Sequence, residues 1–322
     1  LRRLVARRAY KTHDARIPIP KGNPMRDFEY EAPTQLADAV QLLSRHNGQA
    51  RPLAGGTDLI DHVRTGRLAP DVVVDIKKIA ELNVLTADAN GLRLGAAVTC
   101  SQVAAHLEIA KRYAALVDSS RIIGGIQIQN RASIGGNLCN SGPAADSTPS
   151  VIALGGRCII AGPNGTREVA AEEFCTGPGK NVLMPGELLV EIKFPAPAAN
   201  SGSHYRRFIP RNEMDIAVVG VAVAITLDAS KQKVTAARIA LGAVAPTPLF
   251  AAEASEILVD QPLTDDVIAR AAAAARRIAT PITDMRGTAE YRLHLVGVLV
   301  DRVIRAAVAR ARGENIEYKP GH

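Results

Sequence analysis

A chain of 322 residues, 47% of them apolar, is long enough for about two domains and has ample material for a core. With aromatics at 3% and no Trp, that core must be built from Ala, Val, Leu and Ile. The net charge of +7 is not spread over the chain: residues 1–24 hold seven Lys/Arg against one acid, so six of the seven charges sit there and one is left for the rest, where no clustered basic face for nucleic acid is evident. The longest apolar stretch, residues 216–227, is too short to span a bilayer, and no membrane span is predicted.

In chain order, residues 1–24 lack the apolar run of a secretory leader and, Arg-rich and acid-poor, read as a basic tail or a transit peptide. Residues 34–46 are predicted as a helix, with Thr34 as N-cap and Leu36, Ala39, Val40 and Leu43 on one face. Pro52, Leu53 and Ala54 read as a short strand ending at Gly55, residues 58–64 as a short helix, and residues 72–76 as a strong strand. This alternation predicts a small α/β lobe over residues 25–80. Residues 92–96 form a further strand, followed by a helix at 101–106. From about residue 120, short apolar runs at 122–125, 132–136, 158–161 and 188–194 predict a second lobe, to residue 198, with more antiparallel strand. The Pro/Ala/Ser-rich stretch 195–203 reads as a linker. Beyond it, two β-rich runs at 216–227 and 234–244 predict a hairpin, and helical patterns follow at 264–278 and 286–312, with a short tail at 313–322.

Two glycine-rich segments share one design: Leu53, Ala54, Gly55, Gly56, Thr57, Asp58, Leu59, and Ser133, Ile134, Gly135, Gly136, Asn137, Leu138, Cys139, Asn140. Without a Cβ, a Gly-Gly turn lets a ligand approach the backbone, and consecutive amides form a concave anion site suited to a pyrophosphate. Two such turns with Thr, Ser, Asp or Asn beside them point to one dinucleotide held by two loops. Gly-Gly also occurs at Gly124–Gly125 and Gly155–Gly156, where a plain turn is the simpler explanation. Neither G-x-G-x-x-G after a first strand nor G-x-x-x-x-G-K-[ST] is present, which argues against a Rossmann domain or a P-loop. The four cysteines show no C-x-x-C spacing and the seven histidines no H-x-x-x-H pattern, so buried reduced thiols are expected and no metal site is assigned.

The run GGIQIQNRASIGGNLCNSGPAADSTP closely resembles the FAD-binding subunit of the molybdenum hydroxylases, a family that includes xanthine dehydrogenase and aerobic carbon monoxide dehydrogenase types. RPLAGGTDLI resembles that family's first flavin loop, and YRRFIPRNEMDIAVVGVAVAI and TDMRGTAEYR resemble parts of its C-terminal domain. The resemblance covers residues 25–312, and MRDFEYEAPTQLADAVQLL, which resembles the family's usual opening, implies a natural start at Met25 with 1–24 as an extension or tail. It implies an α+β chain: a two-lobed PCMH-type FAD-binding domain over residues 25–198, followed at 204–312 by a carbon monoxide dehydrogenase flavoprotein-like domain with an antiparallel sheet and helices.

By the same resemblance the backbone from Leu53 to Leu59 and from Ser133 to Asn137 binds FAD, with Thr57, Ser133 and Asn137 side chains adding hydrogen bonds. Asp146 stands where the family places a cofactor-contacting acid; read from its own neighbourhood it could equally cap the turn before Ser147. Ile123 and Leu183 align with apolar flavin contacts, and Arg207 with a position usually held by Lys, its register set against the adjacent Arg206. Tyr205 is open between stacking near the ring and a place in the core. The implied role is an electron relay in the cytoplasm. A small subunit with two-iron two-sulfur clusters and a large molybdopterin-binding subunit are the expected partners, as a dimer of heterotrimers, and no catalytic acid–base pair is assigned to this chain. The alternatives are a self-contained flavin reductase or oxidase on the same cofactor fold, or a non-catalytic nucleotide-binding protein.

Overall fold

The computed structural model describes residues 26–211 and 214–316. The expected basic tail 1–24, the start at Met25 and the tail from residue 317 lie outside the described residues.

The chain opens with a small parallel sheet. β1 (Glu29–Glu31), β2 (Ala50–Leu53) and β3 (Val72–Asp75) lie in the order β1-β3-β2, with α1 (Leu36–Arg45) and α2 (Leu59–Arg64) in the connections. β3 sits between two strands, and all four of its residues are buried, which is why it reads as a continuous apolar run rather than an alternating one. The α1 N-cap is Gln35, not Thr34 as predicted; its side chain makes no capping bond, so the apolar face Ala39, Val40 and Leu43 carries the helix.

A second sheet is antiparallel throughout. β4 (Leu85–Asp88), β5 (Gly91–Gly95), β6 (Arg157–Gly162), β7 (Gly165–Ala170) and β10 (Leu188–Pro195) are ordered β4-β5-β10-β6-β7. Between β5 and β6 the chain forms six short helices: α3 (Cys100–Ala105), α4 (Leu107–Arg112), α5 (Ala114–Ser120), α6 (Ile126–Gln129), α7 (Ile134–Asn140) and α8 (Ser147–Ala153). The runs 158–161 and 188–194 are strands as predicted. The runs 122–125 and 132–136 are not: the first is a turn leading into α6, and the second is the start of α7. Apolar runs this short do not separate strand from buried helix by period, and Ser133 tips the balance by capping the helix. α9 (Ala171–Phe174) leads into a two-stranded ribbon, β8 (Cys175–Gly177) with β9 (Lys180–Asn181).

The C-terminal part is a four-stranded antiparallel sheet of β11 (Ser201–Phe208), β12 (Val219–Leu227), β13 (Val234–Gly242) and β14 (Leu249–Phe250), in sequence order. α10 (Ala252–Glu256), α11 (Asp265–Ile278) and α12 (Ala289–Arg312) follow. β12 shows how the sheet is buried on both faces. Val219, Val221, Val223, Ile225 and Leu227 share a core with α11 and α12, while Ala222 and, half-buried, Ala224 join the core of the preceding α3–α8 layer. The two-residue side-chain period sends bulky residues to one face and small ones to the other, so the two parts of the chain approach closely along β11–β13. Among the described residues no helix is long and apolar enough to cross a membrane.

Candidate functional site

The first loop leaves β2 at Leu53 and turns through Ala54, Gly55 and Gly56 into Thr57, Asp58 and Leu59, the first residue of α2. Gly56 has φ +76°, a left-handed value that favours glycine. Gly55 is required for a different reason. A Cβ there would stand 2.1 Å from the Arg131 carbonyl oxygen and 2.9 Å from the Ala132 amide nitrogen. Those residues lead directly into the second loop, so the two segments, about 80 residues apart in sequence, pack backbone against backbone.

The second loop is held from within. Ser133 Oγ accepts the Gly136 N–H at 2.9 Å, and Ser133 pairs with Thr99 in a single antiparallel bridge. A Cβ on Gly135 would meet the Ala96 Cα at 2.6 Å, which presses this glycine onto the end of β5. Gly136 is the exception, since a Cβ would meet only its own cap, Ser133 Oγ, at 3.0 Å. Gly135 thus serves packing, whereas Gly136 is crowded only by the hydroxyl that caps it. The first amides of α7, at Ile134 and Gly135, have no intrahelical acceptor by the geometry of any helix start. Asn137 turns inward, its Oδ1 accepting the Ser147 hydroxyl at 2.6 Å and binding the head of α7 to α8.

Asp146 precedes α8 but makes no side-chain capping bond. Its carboxylate instead spans to β11, accepting the Tyr205 hydroxyl at 2.8 Å on one oxygen and Arg207 Nη1 at 2.5 Å on the other. Only 5% of the Arg207 side chain and 12% of Asp146 are exposed. Burial pushes the Asp146 carboxyl up to about 6, against the opposing pull of Arg207 and the Tyr205 hydroxyl. Arg207, not its neighbour Arg206, is the residue brought to Asp146. Tyr205 is fully buried, so its ring belongs to the core and does not stack at a surface.

Leu183 is half-buried, and its N–H donates to Asn181 Oδ1, whose own side-chain amide donates to the Cys139 carbonyl at the end of α7. Ile123 is half-buried at the head of the Gly124–Gly125 turn and packs against the same core as α7. Thr99 escaped the sequence reading, although Thr99-x-x-Gln102 is a visible capping box and the structure makes both of its bonds. A second buried junction also escaped it. Asp118 on α5 receives Arg310 Nη1 at 2.5 Å and Nη2 at 3.0 Å, with His204 Nδ1 at 2.9 Å and the Tyr205 backbone N–H at 3.1 Å. The partners lie up to 192 residues apart, and no local pattern marks them.

Two glycine loops thus pack backbone against backbone, and the second is tied through Asn137 and Ser147 to the segment that carries the Asp146–Arg207 pair, on the segments whose resemblance implied a class of flavin-holding oxidoreductase subunits. Sequence comparison agrees. Residues 26–197 match the family described as the FAD binding domain in molybdopterin dehydrogenase, and residues 204–307 match the carbon monoxide dehydrogenase flavoprotein C-terminal domain. The carbon monoxide dehydrogenase medium chain of Afipia carboxidovorans is 35% identical over 88% of this chain and 98% of its own length. A putative xanthine dehydrogenase FAD-binding subunit of Escherichia coli is 34% identical over 90% and 99%. The solved carbon monoxide dehydrogenase of Hydrogenophaga pseudoflava superposes with a TM-score of 0.85 at 33% identity, covering 89% of this chain and 99% of that one. The chain belongs to the FAD-binding medium-subunit family of the molybdenum hydroxylases. As such it is an oxidoreductase subunit with FAD as its cofactor.

Proposed function

We propose that this chain carries electrons from iron–sulfur clusters on a small partner subunit, through its bound FAD, to an external acceptor. A large molybdopterin-binding subunit performs the substrate chemistry, and the three chains assemble as a dimer of heterotrimers in the cytoplasm. Relatives named as medium chains and FAD-binding subunits of dehydrogenases support this division of labour. FAD, when bound, supplies the exchange of electrons with donor and acceptor; the protein's task is to hold and tune it. Leu53, Ala54, Gly55, Gly56, Thr57, Asp58 and Leu59 form one wall of the cradle, and Ser133, Ile134, Gly135, Gly136 and Asn137 form the other. Asp146, Arg207, Ile123 and Leu183 provide the remaining contacts. We also place the division between the FAD-binding domain and the C-terminal domain between residues 198 and 204.

The observation that carries this reading is the packing of Gly55 on Arg131 and Ala132, the two residues that lead into the second loop at Ser133. The loops meet where a single ligand can touch both. Gly136→Val tests it. The substitution adds a β-branched side chain whose Cβ crowds only the Ser133 hydroxyl and no backbone, so the protein should fold while losing bound FAD. Flavin-to-protein ratio by absorbance, with circular dichroism on the same sample, reads both. A folded Gly136→Val protein with stoichiometric FAD would refute the two-loop cradle.

A further inference from the structure

β11 alternates its side chains, so Tyr205 and Arg207 project from the same face. Opposite them on β12 stand Ala222 and Gly220, paired in register with Tyr205 and Arg207 respectively. A Cβ on Gly220 would lie 2.7 Å from the Tyr205 hydroxyl, so the missing side chain gives that hydroxyl its place. There it donates to one oxygen of Asp146 while Arg207 donates one nitrogen to the other. Among the described residues Arg207 makes no further hydrogen bond or ion pair, so a side chain with only 5% of its surface exposed keeps two nitrogens uncommitted. A carboxylate held by a single arginine bond is free to rotate about its terminal torsion. The second bond, from a tyrosine locked in the core, removes that freedom.

We infer that Tyr205 is a positioning residue for the cofactor site: its hydroxyl fixes the Asp146 carboxylate, and the fixed carboxylate sets the orientation in which Arg207 presents its remaining donors to FAD. This rests on the reading of Asp146 and Arg207 as cofactor contacts. The charged and titratable groups acting on Asp146 are Tyr205 and Arg207, both of β11. α8, β12 and β13 present Pro149, Gly220 and Gly242 beside them. A hydrogen bond to the ionised carboxylate favours ionisation. Loss of the tyrosine hydroxyl therefore lets Asp146 take up its proton at higher pH, and Arg207 then loses its counter-charge in the range where the wild-type protein still has it.

The test is FAD binding to the full-length apoprotein from pH 5 to 8.5, followed by flavin fluorescence, with circular dichroism reporting the folded fraction. Wild-type affinity should fall as the pH drops through about 6. Tyr205→Phe keeps the ring and should move that fall upward by roughly one pH unit. Asp146→Asn should weaken binding about tenfold and flatten the pH profile. A Tyr205→Phe profile superposing on wild type, while Asp146→Asn still flattens it, overturns the positioning role and leaves the Asp146 contact standing. An Asp146→Asn protein that binds like wild type at every pH overturns the cofactor-site reading itself, and the inference with it. A flat wild-type profile overturns the inference, and so does a folded Tyr205→Phe protein that takes up no flavin while Asp146→Asn still binds, because a residue acting through Asp146 cannot matter more than Asp146 itself.

Discussion

Asp118 and Asp146 look alike in outline. Each is supplied by the N-terminal part of the chain, each is buried or nearly so, and each receives an arginine and a Tyr205 donor across the same boundary, the backbone N–H at Asp118 and the phenol at Asp146. They differ in how completely the arginine is spent. Arg310 grips Asp118 with two nitrogens and gives further bonds to the Ser203 and Ile316 carbonyls. Arg207 gives Asp146 a single bond. Burial raises both carboxyls. At Asp118, His204 and Arg310 more than reverse that and hold it below the ordinary range, whereas at Asp146 burial wins. A saturated ion pair is a fastener, while an unsaturated one retains donors, which on the proposed reading serve the cofactor.

The largest effect that separates the two is on stability. Asp118→Asn strands Arg310 beside buried His204 and should cost about 3–5 kcal/mol, the usual penalty for removing one partner of a buried pair. Urea unfolding of the apoprotein measures it. The molecules that remain folded should keep FAD affinity within about threefold of wild type. A parallel loss of affinity would show that the fastener is also part of the cofactor site.

The pH dependence should split next, with opposite signs. The lowered Asp118 contributes stability that is fully present above its unfolded value of 3.8 and is lost as the pH falls through its native value. The raised Asp146 does the reverse. Its native state holds the proton more tightly, so its contribution is greatest below pH 3.8, declines as the pH rises to about 6, and is flat above, by on the order of 3 kcal/mol in all. In apoprotein urea titrations, Asp146→Asn should remove a decline between pH 4 and 6. Asp118→Asn should remove an acid loss below pH 4. Identical slopes in both variants would erase the distinction.

The smallest effect is a control at neither junction. Ser133→Ala removes the cap on Gly136 and should cost about 1 kcal/mol with no change in either pH slope, read by the same titrations.

The loops show how far the sequence could be read. Two Gly-Gly turns flanked by polar residues were visible as a pair, and the resemblance supplied the cofactor. Their glycines were read as one kind of device. The structure divides them: Gly56 for a left-handed turn, Gly55 and Gly135 for close backbone packing, Gly136 beside nothing but its own cap. Contact partners such as Arg131 and Ala96 are distant in sequence and decide which glycine is spent on packing. The strand expected at 132–136 failed because five residues carry too little period, while Ser133 as a helix cap was a local signal within reach.

What the sequence determined by itself is what short-range physics encodes. Val72–Asp75 as a strand, the Val219–Leu227 and Val234–Gly242 hairpin, the helical pattern that becomes α11 and the paired glycine loops all follow from period, turn chemistry and missing side chains. Only the tertiary structure decided that Tyr205 ties Asp118 to Asp146, that Arg207 reaches Asp146 while Arg310 reaches Asp118, and that Gly55 touches the second loop. A charge or a glycine has no period. Its meaning lies in the partner it meets, and that partner is chosen by how the sheets and helices stack.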